Sequence, residues 1–387
     1  MFYDFDIPVR LVVGEGCSAQ LAESLSTAGA RKVLCVYDKG VEEAGIVAPF
    51  IESMEASDIE VARFDRVVPD PPMEIVEAGT DVAETEKPDA FVAVGGGSSI
   101  DAAKAVNANY TNRGTLKDHA LNLNGLQILP YDNPLKPLYV LPTTAGTGSE
   151  VSPTAVVTDK ELKLKLSIAS RDHYPKVALI DPALMVGMPP PITASTGLDA
   201  FSHAVEGLMG GLAILIPSPM RLSFAMTAIE QVLECLPVAL EDGANMKART
   251  GMAYSAFMSI LGAYGGLSFG HAVGHAIGEV SEIHNHGFLC SSVVPQTVEY
   301  LAEFIPDQIS RLASLLKVNA DGASVKQGLK GFLKECGLPS LKEMGMDLSM
   351  AKEIAHHATL GQYYLIAPKK PSEEEFVQWL EEAYEGG

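Results

Sequence analysis

"AFVAVGGGSSIDAAKAV", residues 90–106, decides the fold. An apolar run meets three glycines and two serines, then an alanine-rich stretch with helical character. It reads as a strand, a tight turn and a helix start. Glycines let a backbone approach a phosphate closely, and a helix start offers free amides and a positive dipole end. The loop is neither G-x-G-x-x-G nor a Walker A sequence, so alone it suits a phosphate cradle and an ordinary turn equally. On either side the same grammar repeats. "RLVVG" (10–14), "KVLCVY" (32–37), "IEVARF" (59–64), "LYVLPTT" (138–144) and "VALID" (177–181) are further strand candidates. Most are separated by enough chain for a helix, which predicts βαβ units and a mostly parallel sheet. The prolines of "VVPDPPM" and "PYDNPLKPL" mark loops.

Two strand ends carry chemistry. "KVLCVYDKG" ends on Asp38, an acid that can accept ribose hydrogen bonds and repel a 2′-phosphate. "LPTTAGTGSE", residues 141–150, offers small hydroxyl and amide donors suited to lining a cofactor cleft. Each is plausible as a plain loop, and the glycine turn with Asp38 shifts the balance toward an NAD site.

After "DPALMVGMPPPIT" the character changes to long Ala/Leu/Met segments of helical period. At 387 residues the chain exceeds the roughly 250–300 residues that one core supports. An α/β domain over 1–185 and a helical domain over 186–387 are therefore expected. In the helical half "GLDAFSHAVEG" sets Asp199 and His203 four apart, on one helix face. "GHAVGHAIGEVSEIHNHG", residues 270–287, holds four of the nine histidines. His271 and His275 repeat the four-residue spacing, and His284 and His286 follow. A carboxylate with several imidazoles suits Fe²⁺ or Zn²⁺ better than Mg²⁺ or Ca²⁺. His119, His173, His356 and His357 read as structural.

Composition bounds the partners. A net charge of −21 repels nucleic-acid backbones. Five scattered cysteines without a C-x-x-C pair suit reduced thiols in a cytoplasm, and "MFYDFDIPVR" lacks the apolar core of a signal peptide. Residues 251–278 lack Asp, Glu, Lys and Arg and carry glycines at 262, 266, 270, 274 and 278. With two histidines inside, this predicts a buried helix packed closely on a neighbour, with no membrane span. Gly262, Gly265 and Gly266 suit either such packing or extra room beside a substrate.

"GGGSSIDAAKAV", "LPTTAGTGSEV", "GLDAFSHAVEG" and "GHAVGHAIG…HG" stand in the order and approximate spacing of the iron-containing (group III) alcohol dehydrogenases, which the chain resembles over nearly its whole length. The resemblance implies an N-terminal dinucleotide-binding domain and a helical C-terminal domain with the active site in the cleft between them. It implies metal ligands at Asp199, His203, His271 and His286. His275 matches a histidine near metal and nicotinamide, here expected to relay the substrate proton. Gly95, Gly96, Gly97 and Ser98 match the pyrophosphate loop, Asp38 the position associated with NAD. Asp101, Thr143, Thr144, Thr147 and Lys165 match cofactor-side positions. The expected activity is reversible oxidation of a small alcohol by NAD⁺ with Fe²⁺ or Zn²⁺, in a homodimer or higher homo-oligomer. The sequence departs from the family pattern at "LGAYGGLSFG", at the His271–His286 spacing and at "IAPKKPSEEE", all on the substrate side. Two alternatives remain. A dehydroquinate synthase-like lyase shares the fold but calls for basic clusters that the helical half lacks. A non-catalytic NAD-bound scaffold would not need four intact ligands.

Overall fold

The computed structural model describes residues 5–264, 266–281 and 283–386. Residues 1–4 and Gly265 lie outside them. The chain divides into two compact units, at Met188/Pro189.

Among the described residues the first unit holds a six-stranded sheet and a hairpin. Its strands are β1 (Arg10–Val13), β2 (Lys32–Asp38), β3 (Glu60–Val67), β4 (Ala90–Gly95), β5 (Leu138–Pro142), β6 (Thr154–Asp159), β7 (Leu164–Ala169) and β8 (Val177–Ile180). The sheet runs β1-β8-β5-β4-β2-β3 with every pairing parallel. All six of its strands are those the sequence marks. Its helices are α1 (Leu21–Thr27), α2 (Lys39–Glu43), α3 (Ala48–Glu55), α4 (Met73–Glu86) and α5 (Gly97–Thr111). β4 is buried throughout because both sheet faces are covered, which is why it reads as an unbroken apolar run. Val33, Cys35, Val92 and Val94 face a core completed by Leu21 and Leu25 of α1 and Phe50 and Met54 of α3. α5 packs on β2, β4 and β5, and on α4. β6 and β7 form a separate antiparallel hairpin that the sequence reading omitted. The apolar–polar alternation of LKLSI in β7 is the period-2 signal that marks it in the sequence.

The boundary falls three residues beyond the expected one. The Val186 and Met188 amides donate to the Ala183 and Met185 carbonyls and so continue the turn after β8, a turn that the Asp181 carboxylate ties to the first unit by accepting from the Gly16 and Ser18 amides and the Ser18 hydroxyl.

The second unit is helical. Pro189 caps α6 (Pro190–Gly207), and prolines suit that first turn because its amides lack helical acceptors. There follow α7 (Gly211–Leu215), α8 (Pro219–Glu241), α9 (Met246–Gly262), α10 (Phe269–Val280), α11 (His286–Ser291), α12 (Val294–Leu301), α13 (Pro306–Leu316), α14 (Gly322–Glu335), α15 (Ala351–Leu360), α16 (Gln362–Leu365) and α17 (Glu373–Tyr384). The charge-free stretch 251–278 is not one helix; it spans the end of α9, a turn and most of α10. α8 is long and apolar enough to cross a membrane. It packs instead along α6 and α9, and its buried Arg221 donates to the carbonyls of Ile216 and Tyr264.

The glycines serve close approach. A Cβ at Gly262 would lie 2.7 Å from the Ala225 amide of α8, so this glycine joins two helices and leaves no extra room. Gly266 has φ +116°, and a Cβ there would meet Ile366 at 2.5 Å. Gly270 and Gly274 open α10 to α11: their Cβ atoms would lie 2.8 Å from the Cys290 carbonyl oxygen and 2.7 Å from the Cys290 amide.

Candidate active site

In the first unit the parallel register brings three strand ends side by side. Gly95 of β4 pairs with Pro142 of β5, and β2 runs beside β4 to end at Asp38. Ligands of such sheets bind at carboxyl strand ends. Gly95 takes φ +153°, and a Cβ there would lie 2.5 Å from the Ser99 hydroxyl and 3.3 Å from Asp38. Gly96 backs onto Thr144 and Gly97 onto Thr147, where an added Cβ would come within 3.2 Å and 2.5 Å. Gly96 caps α5 with no side-chain acceptor, so no cap side chain occupies the first-turn amides of the helix. Ser98, Thr144 and Thr147 are half-buried beside them, while Thr143 is buried and donates its amide to the Gly95 carbonyl. Asp38 accepts from the Val41 amide at 3.0 Å and the Ser99 hydroxyl at 3.1 Å, which fixes its carboxylate at the rim.

Two expected cofactor residues are held by protein partners. Asp101 accepts from the Ser149 hydroxyl and from the Val156 amide at 3.0 Å, so it pins the threonine-rich loop and β6 to α5. Lys165 is buried and pairs with Asp70 at 2.8 Å. Beneath the same loop lies Lys104, 1% exposed, which the sequence reading passed over. Its ammonium faces the carbonyls of Ser149, Ser152 and Thr154 and the Ser149 hydroxyl, all within 2.9 Å. Burial lowers its pKa to about 8 against the pull of Asp101 and Glu150, and burial raises neighbouring Glu150 to about 7.

In the second unit α6, α10 and α11 converge on one cluster. Asp199 Oδ1 lies 3.8 Å from His271 Nε2 and 3.6 Å from His286 Nε2. Asp199 Oδ2 lies 3.9 Å from His203 Nδ1, and the His203 ring stacks on His271 at 4.5 Å. Thus Asp199, His271 and His286 meet as expected, while His203 lies beside Asp199 but outside the tight donor group. Glu206, fully buried, was not singled out from sequence, although Asp199, His203 and Glu206 follow the i, i+4, i+7 spacing of one helix face. Its Oε1 lies 2.6 Å from His271 Nδ1, and its Oε2 accepts from the Ser268 and His271 amides. A carboxylate on one ring nitrogen sets the other to be a ligand. Among the described residues His271 Nε2, buried and turned into the cluster, has no hydrogen-bond partner. Burial alone would lower the His271 pKa; facing Cys290 and Glu206 outweigh it and hold it well above its ordinary value.

Gly287 explains the "HG" ending of the motif. A Cβ there would lie 2.0 Å from the Ser195 carbonyl oxygen, so only glycine lets α11 begin against α6 with His286 beside Asp199. Asn285 bonds the Ser195 hydroxyl and anchors the preceding loop. His284 is exposed, outside the tight donor group. His275 is half-buried, its ring 5.3 Å from His286 and 5.8 Å from Tyr363, and it too lies outside that group. The group does contain Cys290, whose place among scattered cysteines gives no sign of it. Its signal was the four-residue step from His286. His173 is buried against the Tyr131 hydroxyl, and its pKa is lowered to about 3 by burial.

This two-part arrangement has relatives. A family model described as iron-containing alcohol dehydrogenase matches residues 8–182, and one described as the C-terminal part of the Fe-containing alcohol dehydrogenase family matches 193–384. The chain belongs to the iron-containing alcohol dehydrogenase family. It is 33% identical to choline dehydrogenase of Bacillus subtilis (strain 168), over 92% of this chain and 89% of that one. It is 33% identical to NAD-dependent methanol dehydrogenase of Bacillus methanolicus, over 89% and 90%. Among solved structures, a 1,3-propanediol oxidoreductase superposes with a TM-score of 0.91 at 30% identity, over 99% of this chain and all of that one.

Proposed function

We propose that this enzyme interconverts a small alcohol and its aldehyde or ketone, with NAD as hydride carrier and Fe²⁺ or Zn²⁺ at the histidine cluster. The observation that carries this reading is the buried His271 Nε2, held by Glu206 behind it and facing Asp199, His203 and His286. An imidazole held by a carboxylate on one nitrogen can give up the proton on the other to a divalent ion. Asp199, His203, His271 and His286 would hold it. The bound ion supplies Lewis acidity toward an alcohol oxygen. The glycine cradle fits a dinucleotide for a parallel reason: side chains at Gly95, Gly96 or Gly97 would collide with Ser99, Thr144 or Thr147 where a pyrophosphate has to approach backbone.

The chain's own residues divide the remaining work. The α5 amides, with Ser98 and Thr144, bind phosphate oxygens, and Asp38 accepts from ribose hydroxyls. His275 takes the alcohol proton on a ring nitrogen and passes it to solvent, since it is half-buried and belongs outside the ligand set. Tyr363, edge-on to both His271 and His275, shields them from water. The names of the relatives, acting on choline, methanol, 1,3-propanediol and lactaldehyde, support small alcohols or aldehydes as the substrate class.

The test uses three histidine variants purified alike under anaerobic conditions. His286→Ala should lose metal and turnover together. His275→Ala should keep most of its metal with altered turnover and pH profile, and His284→Ala should change metal content little. A site emptied by His284→Ala and kept full by His286→Ala would overturn the assignment. For the cofactor, Asp38→Asn retains an acceptor for the Val41 amide while removing the charge. Its ratio of NADP to NAD kcat/KM should rise about tenfold or more, because a lost charge repulsion of roughly 1.4 kcal/mol is tenfold. An unchanged ratio would assign Asp38 to capping α2 alone.

A further inference from the structure

We propose that Cys290 is a sulfur donor to the metal centre and biases it toward thiophilic divalent ions. The inference rests on reading the histidine cluster as a metal site. One donor atom from each of Asp199, His271, His286 and Cys290 lies within 4.8 Å of the others. Cys290 stands one turn after His286 on α11, so both side chains leave the same helix face. Its Sγ lies 3.5 Å from Nδ1 and 3.6 Å from Nε2 of the His286 ring. The sulfur reaches this position because α10 is cut away there: a Cβ at Gly274 would lie 2.6 Å from it.

A separate observation points to a ligand in the same space. His271 Nε2 belongs to a ring 1% exposed, lacks a hydrogen-bond partner among the described residues, and is turned into this cluster. An unsatisfied buried polar atom costs on the order of 1–3 kcal/mol, a cost that a bound cation removes. A buried cysteine otherwise behaves as a small apolar side chain. Cys35 shows that behaviour, lying within the apolar core of the first unit. Cys290 differs, since imidazoles and a carboxylate surround its sulfur. On ion binding the S–H bond breaks, the sulfur pair forms the bond to the ion, and the proton leaves to buffer; no electron changes hands. Thiolate among nitrogen and oxygen donors favours Zn²⁺ and Co²⁺ over harder ions.

The experiment loads the metal-stripped full-length protein anaerobically with one equivalent of Co²⁺. Visible d–d bands report binding, and a near-ultraviolet sulfur-to-cobalt charge-transfer band reports sulfur ligation. The wild type should show both. Cys290→Ser should keep the visible bands and lose the charge-transfer band, whereas Cys235→Ser should keep both. In competition between Zn²⁺ and Fe²⁺, Cys290→Ser should shift the bound ratio toward iron by about tenfold. Bound cobalt without the charge-transfer band in the wild type overturns the role of Cys290 and leaves the metal reading standing, even if the variant fails to fold. Survival of the band in Cys290→Ser overturns it equally. Failure of the wild type to bind cobalt removes the metal reading and this inference together.

Discussion

At Glu150 a carboxyl 3% exposed lies beside the buried Lys104 ammonium and Asp101. Burial raises its pKa from 4.5 to about 7, so the folded chain keeps a proton that the unfolded chain has released. The associated stability is fully present below pH 4.5 and is lost as pH rises through about 7. At 1.36 kcal/mol per pH unit the loss reaches about 3 kcal/mol. Glu150→Gln should therefore be nearly neutral at pH 5 and more stable than wild type at pH 8, read from denaturant midpoints at both. A gap that does not change with pH would refute the shift. Asp38 was legible as a candidate because an acid at a strand end can face a ribose. Lys104 and Glu150 were not: a lysine on a helix and a glutamate in a loop are ordinarily solvated, and only long-range packing buries them. Glu206 and Cys290 escaped notice similarly, although their i+7 and i+4 steps stood in the same motifs as the ligands.

At the scale of the element, glycine sets how closely helices meet. Gly287→Ala would place a methyl 2.0 Å from the Ser195 carbonyl oxygen and 3.0 Å from the Asp199 Cβ. The start of α11 must then back away from α6, taking His286 from Asp199. Gly262→Ala would press the Ala225 backbone at 2.7 Å, on a helix pair that carries no ligand. Both should lose about 1–3 kcal/mol of stability, as overpacked sites do. Only Gly287→Ala should also lose its metal. Metal analysis and denaturant midpoints on the two variants separate the effects, and equal metal retention would refute the account of the "HG" motif. The charge-free run 251–278 announced close packing correctly, but not its division into two helices. Composition is the same on both sides of the turn, and the positive φ of Gly266 is set by its neighbours.

For the whole molecule, the two units have different holds. In the second, α6, α10 and α11 share one donor cluster, so metal removal withdraws a crosslink among three helices. A ligand at 100 times its Kd adds about 2.7 kcal/mol to the state that binds it. Chelation should thus cost amide protection in α6, α10 and α11 and leave the β2–β4–β5 sheet protected. NAD added to the chelated protein should protect the α5 start and not restore the metal helices. Hydrogen exchange followed segment by segment checks both, and uniform loss on chelation would contradict the assignment. The sequence by itself determined the six parallel strands, the helical second half and the helices that carry Asp199, His203 and His271. Those follow from local periods of apolar residues, from breakers such as Pro189–Pro191, and from four-residue steps that any α-helix turns into one face. Tertiary structure alone decided which donors meet. It tied the turn after β8 to the first unit through Asp181, whose partners lie some 165 residues away, and added the β6–β7 hairpin. It also set Glu206 behind His271 and brought Cys290 up against α10 at Gly274, where no side chain stands. Such encounters depend on the approach of helix backbones to within a methyl group's width, a distance that spacing along one chain does not encode.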